Sequence, residues 1–264
     1  MNLILILCVK PNEALFEFAE SINFCNVKII VDDNSKNYKN PHVYQLSGRE
    51  LEKRGYCNSN KGSHIKKSVI AWDKALFYLS TIQFDKCIIL EDDVFVPSIS
   101  ILEKLFTYDA DLVVPRNQFR NTDFKDWHWI NIEKAIDRPH YSSMVCGICV
   151  SKALINAIDV FVQKNKTLFH IEAMFNTIAM QSNLKVVCPN ELKGIYAMGH
   201  FDMTDFRLAP NILFHPVKNT QQHERYRKML KSPLNTFCEQ KTVDIVSPKP
   251  YQHLLIPHFL KNNC

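Results

Sequence analysis

Glycine is scarce in this chain, at 6 of 264 residues, and the turn after the first apolar run, Cys8-Val9-Lys10-Pro11-Asn12-Glu13, contains none. A Gly-rich phosphate loop of the kind that cradles a nucleotide behind a first strand is therefore missing. No internal period of solenoid length is visible, and no apolar stretch reaches the length of a membrane span. The N-terminal run from Met1 to Val9 lacks the positive flank and small-residue cleavage site of a signal peptide. A cytoplasmic chain with no transmembrane segment is expected, with the Asn165-Lys166-Thr167 sequon unused. The nine cysteines are odd in number and scattered. Cys146 and Cys149 form a C-x-x-C with apolar flanks and no partner pair at zinc-finger spacing, so the set reads as reduced core thiols.

What is present is an ordinary globular composition. Hydrophobic residues make up 46% and aromatics 11%, enough to build the core of one large domain. The net charge of +5 is modest. It suits a phosphate-bearing small ligand and falls short of the basic stripe of a nucleic-acid binder, so no nucleic-acid partner is expected.

Strand-length apolar runs alternate with helical stripes. Residues 3–9 and Val27 to Val31 read as buried strands, separated by a helix with apolar positions at 15, 16, 18, 19 and 22. His42 to Leu46 is a shorter strand candidate, and residues 47–64 read as a polar loop. A stripe over 65–80 predicts a helix leading into a strand at Cys87 to Leu90. Ile99 to Phe106 (helix), Leu112 to Pro115 (strand), a strand and helix within 142–158, His170 to Ala179 (helix) and Lys185 to Cys188 (strand) continue the pattern. Such alternation predicts an α/β fold with a mostly parallel central sheet flanked by helices, and ligands beyond the carboxyl ends of its strands. The tail from about residue 220 is basic and Pro-punctuated and reads as an irregular extension. Its stretch Arg225 to Lys231 reads as a solvated helix face or a phosphate contact.

Acidic residues gather at that carboxyl edge. Val27 to Val31 runs into Asp32-Asp33-Asn34-Ser35, and the Cys87 strand runs into Glu91-Asp92-Asp93. Three adjacent carboxylates repel one another unless they are solvated or neutralised by a cation, and oxygen donors favour Mn²⁺, Mg²⁺ or Ca²⁺. An acidic loop is the plain alternative for the triplet. Backbone turn bonding is the alternative for Asp32 and Asp33.

In order and content these motifs resemble the GT-A class of nucleotide-sugar glycosyltransferases over residues 1–218. Glu91-Asp92-Asp93 is similar to that family's DxD motif in the form found in the N-acetylglucosaminyltransferase I branch. The resemblance implies a Rossmann-like GT-A fold and a metal-dependent, inverting hexosyl- or pentosyltransferase. The donor would be a UDP- or GDP-sugar, and the acceptor a glycan or glycoprotein hydroxyl. Asp93 would hold Mn²⁺ or Mg²⁺, with His215, from Phe214-His215-Pro216-Val217-Lys218, as a second ligand. Glu91 and Asp92 would face sugar and ribose, Asp32 or Asp33 the nucleoside, and Lys218 or Lys61 the diphosphate. Glu172, in His170-Ile171-Glu172-Ala173, is the expected base. The family often has Glu-Asp there, so Asp123 and Asp126 stand as substitutes, and a helix-dipole role for Glu172 stays open.

Trp127, His128 and Trp129 could stack on an acceptor sugar or belong to the core. The expected division is a catalytic domain over 1–219, with a donor half (1–115) and an acceptor half (116–219), and an extension over 220–264. Two further alternatives are a nucleotidyltransferase and a non-catalytic binding protein that retains the fold.

Overall fold

The computed structural model describes residues 1–61, 69–120, 128–196 and 199–232. Its strands are β1 (Leu3–Cys8), β2 (Asn26–Val31), β3 (Val43–Tyr44), β4 (Lys86–Glu91), β5 (Leu112–Val113), β6 (Gln118–Phe119), β7 (Tyr141–Ser142), β8 (Gly147–Ser151), β9 (Val186–Val187), β10 (Gly194–Ile195) and β11 (Phe214–His215). Its helices are α1 (Glu13–Ser21), α2 (Gly48–Lys53), α3 (Ala71–Thr81), α4 (Ser100–Thr107), α5 (Trp129–Glu133), α6 (Lys152–Asn165), α7 (Ile171–Gln181), α8 (Met203–Leu208) and α9 (His223–Lys231).

Seven strands form the main sheet in the order β3-β2-β1-β4-β8-β5-β9. β1, whose six residues are all buried, pairs in parallel with β2 on one side and β4 on the other. The side-chain period of two splits it between two cores. Leu3, Leu5 and Leu7 face one cluster with α3, α6 and α7, while Ile4, Ile6 and Cys8 face another with α1 and α4. The result is the expected α/β architecture, a largely parallel sheet flanked by helices. β8 is the exception, running antiparallel to both β4 and β5.

Helix starts follow local chemistry. Asn12 caps α1, its Oδ1 accepting the Leu15 N–H at 3.0 Å, and Ser151 caps α6 through the Leu154 N–H. Both satisfy donors that a helix leaves orphaned. The stretch 47–64, read as loop, contains the short helix α2. The stripe read as a helix over 65–80 is helical from Ala71 to Thr81, and part of its expected start lies outside the described residues. No helix among the described residues is long and apolar enough to cross a membrane.

The order of strands positions the site. The chain goes outward from β1 to β2 and β3, then returns to place β4 on the other side of β1. A crevice opens where the order reverses, at the carboxyl ends of β1 and β4. The Asp32 N–H donates to the Cys8 carbonyl at 2.9 Å and the Asp92 N–H to the Leu7 carbonyl at 2.9 Å, so both acidic turns flank the end of β1. Antiparallel β8 begins at that same edge.

A smaller layer closes the edge. Phe95 and Phe214 exchange backbone hydrogen bonds of 2.8 and 3.1 Å, and β10 pairs with β11. A Cβ on Gly194 would stand 2.3 Å from the Leu213 carbonyl, a backbone approach that only glycine allows here. Phe95, Phe206, Phe214 and Val217 pack with Tyr226 and Leu230 of α9. The stretch read as a solvated face is thus helical and half-sunk, with Arg227 buried and its guanidinium 4.5 Å over the Phe18 ring.

His223, at the start of α9, is buried, and its Nε2 lies 2.9 Å from the Val217 carbonyl, which accepts its proton. Burial, with Arg227 nearby, pushes its pKa down to about 4. A depressed base stabilises the fold above its unfolded pKa near 6.5 and loses that contribution as pH falls toward 4. The loss expected over that window is on the order of 3 kcal/mol. Urea midpoints measured from pH 7 to 4 should fall, and His223→Gln, which keeps a donor, should flatten the curve. An equally steep curve for the variant would exclude His223 as the cause.

Candidate active site

At the end of β4 the three carboxylates separate. The Glu91 N–H donates to the Cys146 carbonyl at 2.8 Å, which ties the end of β4 to the start of β8. Its side chain accepts the Trp72 indole N–H on Oε1 at 2.7 Å, leaving Oε2 turned toward His215 Nε2 at 3.7 Å. Asp93 is buried, with Oδ1 3.3 Å from His215 Nε2 and Oδ2 bonded by Lys218 Nζ. The Val217 N–H donates to the Asp93 carbonyl at 2.8 Å, so β11 and the segment after it are locked over the acidic turn.

The orientation of His215 is set by its other nitrogen. Nδ1 lies 2.6 Å from the Tyr196 carbonyl, which can only accept, so Nδ1 carries the proton and Nε2 faces Asp93 and Glu91. A carbonyl behind an imidazole is the usual second partner of a metal-ligating histidine.

The electrostatics are lopsided. Burial would raise the Asp93 carboxyl, but His215 and Lys218 beside it outweigh burial and hold it down at about 2. For Asp92, burial together with the charges of Asp93 and Glu91 outweighs the opposing charge of Lys218 and pushes it up to about 6. Burial lowers His215, yet Asp93 and the Tyr196 carbonyl overcome it and raise its pKa. A proton on Nε2 and a cation would thus compete for one position.

Whether these residues suit a divalent cation is tested by one atom. Asp93 Oδ1 is buried without a hydrogen-bond partner, although it is an ionised oxygen. Such an atom is costly unless a cation neutralises it. His215 Nε2 lies 3.3 Å from that oxygen and 3.7 Å from Glu91 Oε2, so the imidazole approaches both carboxylates. Two carboxylate oxygens and an imidazole are donors that Mn²⁺ and Mg²⁺ accept.

The other residues singled out in the sequence fall in different places. Asp92, half-buried, lines a cavity of about 20 Å³ with Leu15, Phe18, His223 and Arg227, room for a single water. Asp33 accepts the Ser35 N–H at 2.8 Å and pairs with Lys10 at 3.3 Å, so its side chain is engaged in turn chemistry. The Asp32 carbonyl accepts from Lys74 Nζ at 2.8 Å. Lys61 is exposed on the loop after Cys57, its N–H donating to the Asn58 carbonyl.

Glu172 lies in the first turn of α7, partly exposed, with Oε2 3.7 Å from His170 Nε2. The His170 ring lies 4.2 Å from that of His128. Trp129 packs with the Arg120 guanidinium 4.9 Å over its ring and stacks on His140. Asp123, Asp126 and Trp127 lie outside the described residues.

Two buried charged groups near the acidic turns, Lys74 and Asp73, have no sequence signature. Lys74 is buried in α3 and donates to the carbonyls of Val31 and Asp32, both at 2.8 Å. Beside it, buried Asp73 accepts the backbone N–H groups of Ser59 and Ile70. Cys146 sits close enough to Glu91, Asp93 and Glu172 that burial first and then these charges push its thiol well up. The sequence marks Cys146 as one end of a C-x-x-C and reads it as a core thiol; the pairing of the next residue, Gly147, with Leu90 is what sets it beside Glu91.

No protein-family model matches the sequence, and no curated protein does. At 12% identity the chemistry has to be argued from the site itself, and this is the level of one similar solved structure. That structure is the galactosyltransferase LgtC in complex with donor and acceptor sugar analogs, with a TM-score of 0.44 covering 89% of this chain and 98% of that one.

Proposed function

We propose that this chain is a metal-dependent glycosyltransferase of the GT-A class that moves a sugar from a UDP- or GDP-sugar to a hydroxyl of a glycan or glycoprotein. The observation that carries it is the approach of Asp93 Oδ1 and Glu91 Oε2, at the strand-order reversal, to His215 Nε2. In the proposed division, residues 1–115 bind the donor and residues 116–219 the acceptor, with 220–264 as an extension.

Asp93, Glu91 and His215 would hold Mn²⁺ or Mg²⁺. When bound, the cation supplies charge neutralisation to the diphosphate leaving group. Lys218, largely exposed and paired with Asp93, is free to turn outward and add a fixed positive charge to the same oxygens. Asp32 or Asp33, in the turn after β2, would accept from ribose or base. Asp92 would meet the donor from the other side of the turn. Lys61 remains a candidate for the diphosphate from the loop before α3.

Glu172 would take the acceptor proton as the hydroxyl oxygen attacks the anomeric carbon from the face opposite the leaving group, giving inversion. The described cysteines are free thiols, which fits a reducing compartment such as the cytoplasm.

Calorimetry with UDP and GDP, each with and without millimolar Mn²⁺, tests the reading. Heat is expected with one nucleotide and only when the cation is present. Absence of heat with both nucleotides in Mn²⁺, or equal heat without it, would overturn the reading.

A further inference from the structure

The sulfur of Cys146 belongs to the same cluster as Glu91 and His215, with one ligand atom from each lying within 4.8 Å of the others. The sugar-transfer chemistry above has no use for a thiol. Two observations separate this thiol from an ordinary core cysteine. Its backbone is fixed on the site by the Glu91 N–H bond to its carbonyl. A fourth donor stands beside the cluster, because Asp93 is 8% exposed and its Oδ1 is buried without a hydrogen-bond partner 3.3 Å from His215 Nε2.

The donor types matter. Oxygen and imidazole donors serve Mn²⁺ and Mg²⁺, but a sulfur donor adds affinity only for thiophilic ions. One sulfur, one imidazole nitrogen and two carboxylate oxygens can complete the four-coordinate tetrahedral shell that Zn²⁺ takes in closed sites.

We propose that Glu91, Cys146, His215 and Asp93 form a second binding mode of the cation site, selective for Zn²⁺, which displaces the hard ion. In this mode the S–H bond of Cys146 breaks, the sulfur–metal bond forms, and the proton passes to solvent, with no change of oxidation state. Four protein donors leave no open position for a diphosphate, so the Zn²⁺ form is a closed one. The inference rests on the cation site proposed above and not on sugar transfer.

Cd²⁺ serves as the spectroscopic probe for Zn²⁺. The whole chain, titrated with Cd²⁺, is expected to show a thiolate-to-metal charge-transfer band saturating at one ion per chain. Its ¹¹³Cd resonance should report a single sulfur ligand, a reading that needs no variant. Zn²⁺ should release bound Mn²⁺, followed by electron paramagnetic resonance.

Cys146→Ser should abolish the band and weaken Zn²⁺ binding by about tenfold or more, while Mn²⁺ affinity stays within about twofold. Cys8→Ser and Cys149→Ser should keep the band. A ¹¹³Cd shift without sulfur, or a band that survives Cys146→Ser, would overturn the inference. Mn²⁺ binding without any thiolate band sinks this inference alone. A Cys146-dependent band in a protein that never binds Mn²⁺ sinks the hard-ion site instead.

Discussion

Asp93→Asn is expected to abolish cation-dependent binding of a nucleoside diphosphate and to lower turnover by roughly 10³-fold or more, the scale of removing a principal charge-stabilising group. Asp93 is where two distant parts of the chain meet: the turn after β4 delivers it, and β11 with the segment following it brings His215 and Lys218. The amide keeps the shape and the backbone bond from Val217. It removes the charge, and it leaves His215 and Lys218 facing a neutral group. Because the Asp93 carboxyl is held at about 2, below its unfolded value, it stabilises the fold at neutral pH and loses that contribution only in acid. A cost of about 1 to 2 kcal/mol at pH 7 is expected in the variant. Thermal unfolding separates this from the functional loss: Mn²⁺ should raise the midpoint of the parent by mass action and leave the variant unmoved. Equal nucleotide binding by the two proteins in Mn²⁺ would rule out Asp93 as a ligand.

Glu172→Gln should behave differently, with donor binding intact and turnover reduced by about 10² to 10⁴-fold, the usual contribution of general-base assistance. Glu172 lies in the first turn of α7, where any negative charge also favours the helix, an effect of about 0.3 to 1 kcal/mol. That modest cost cannot imitate a hundredfold loss of rate in a folded protein. Unaltered turnover would move the base elsewhere, with Asp123 and Asp126 the residues to replace next.

Much of the sheet was legible because burial on two faces leaves a long apolar run. The runs at Leu3, Val27 and Cys87 became β1, β2 and β4, and the polar residues ending two of them became the acidic turns. The helix stripes were equally plain, since a 3.6-residue period survives in α1, α3, α4 and α6 whatever they pack against. Where a side chain has a strong local alternative, sequence left the choice open. Asp33 took its turn role with Ser35.

By itself, then, the sequence determined that this is an α/β protein with carboxylates gathered at the carboxyl edge of a mostly parallel sheet. Only the tertiary structure decided how those carboxylates divide. Strands of two residues, such as β11, have no period to read, so the placement of His215 depended on Phe95 pairing with Phe214. The antiparallel run of β8 is likewise invisible in its apolar residues, because hydrophobicity encodes burial and not direction. That one reversal set Cys146 beside Glu91, and backbone pairing between segments far apart in the chain turned an acidic patch into a site with distinct donors.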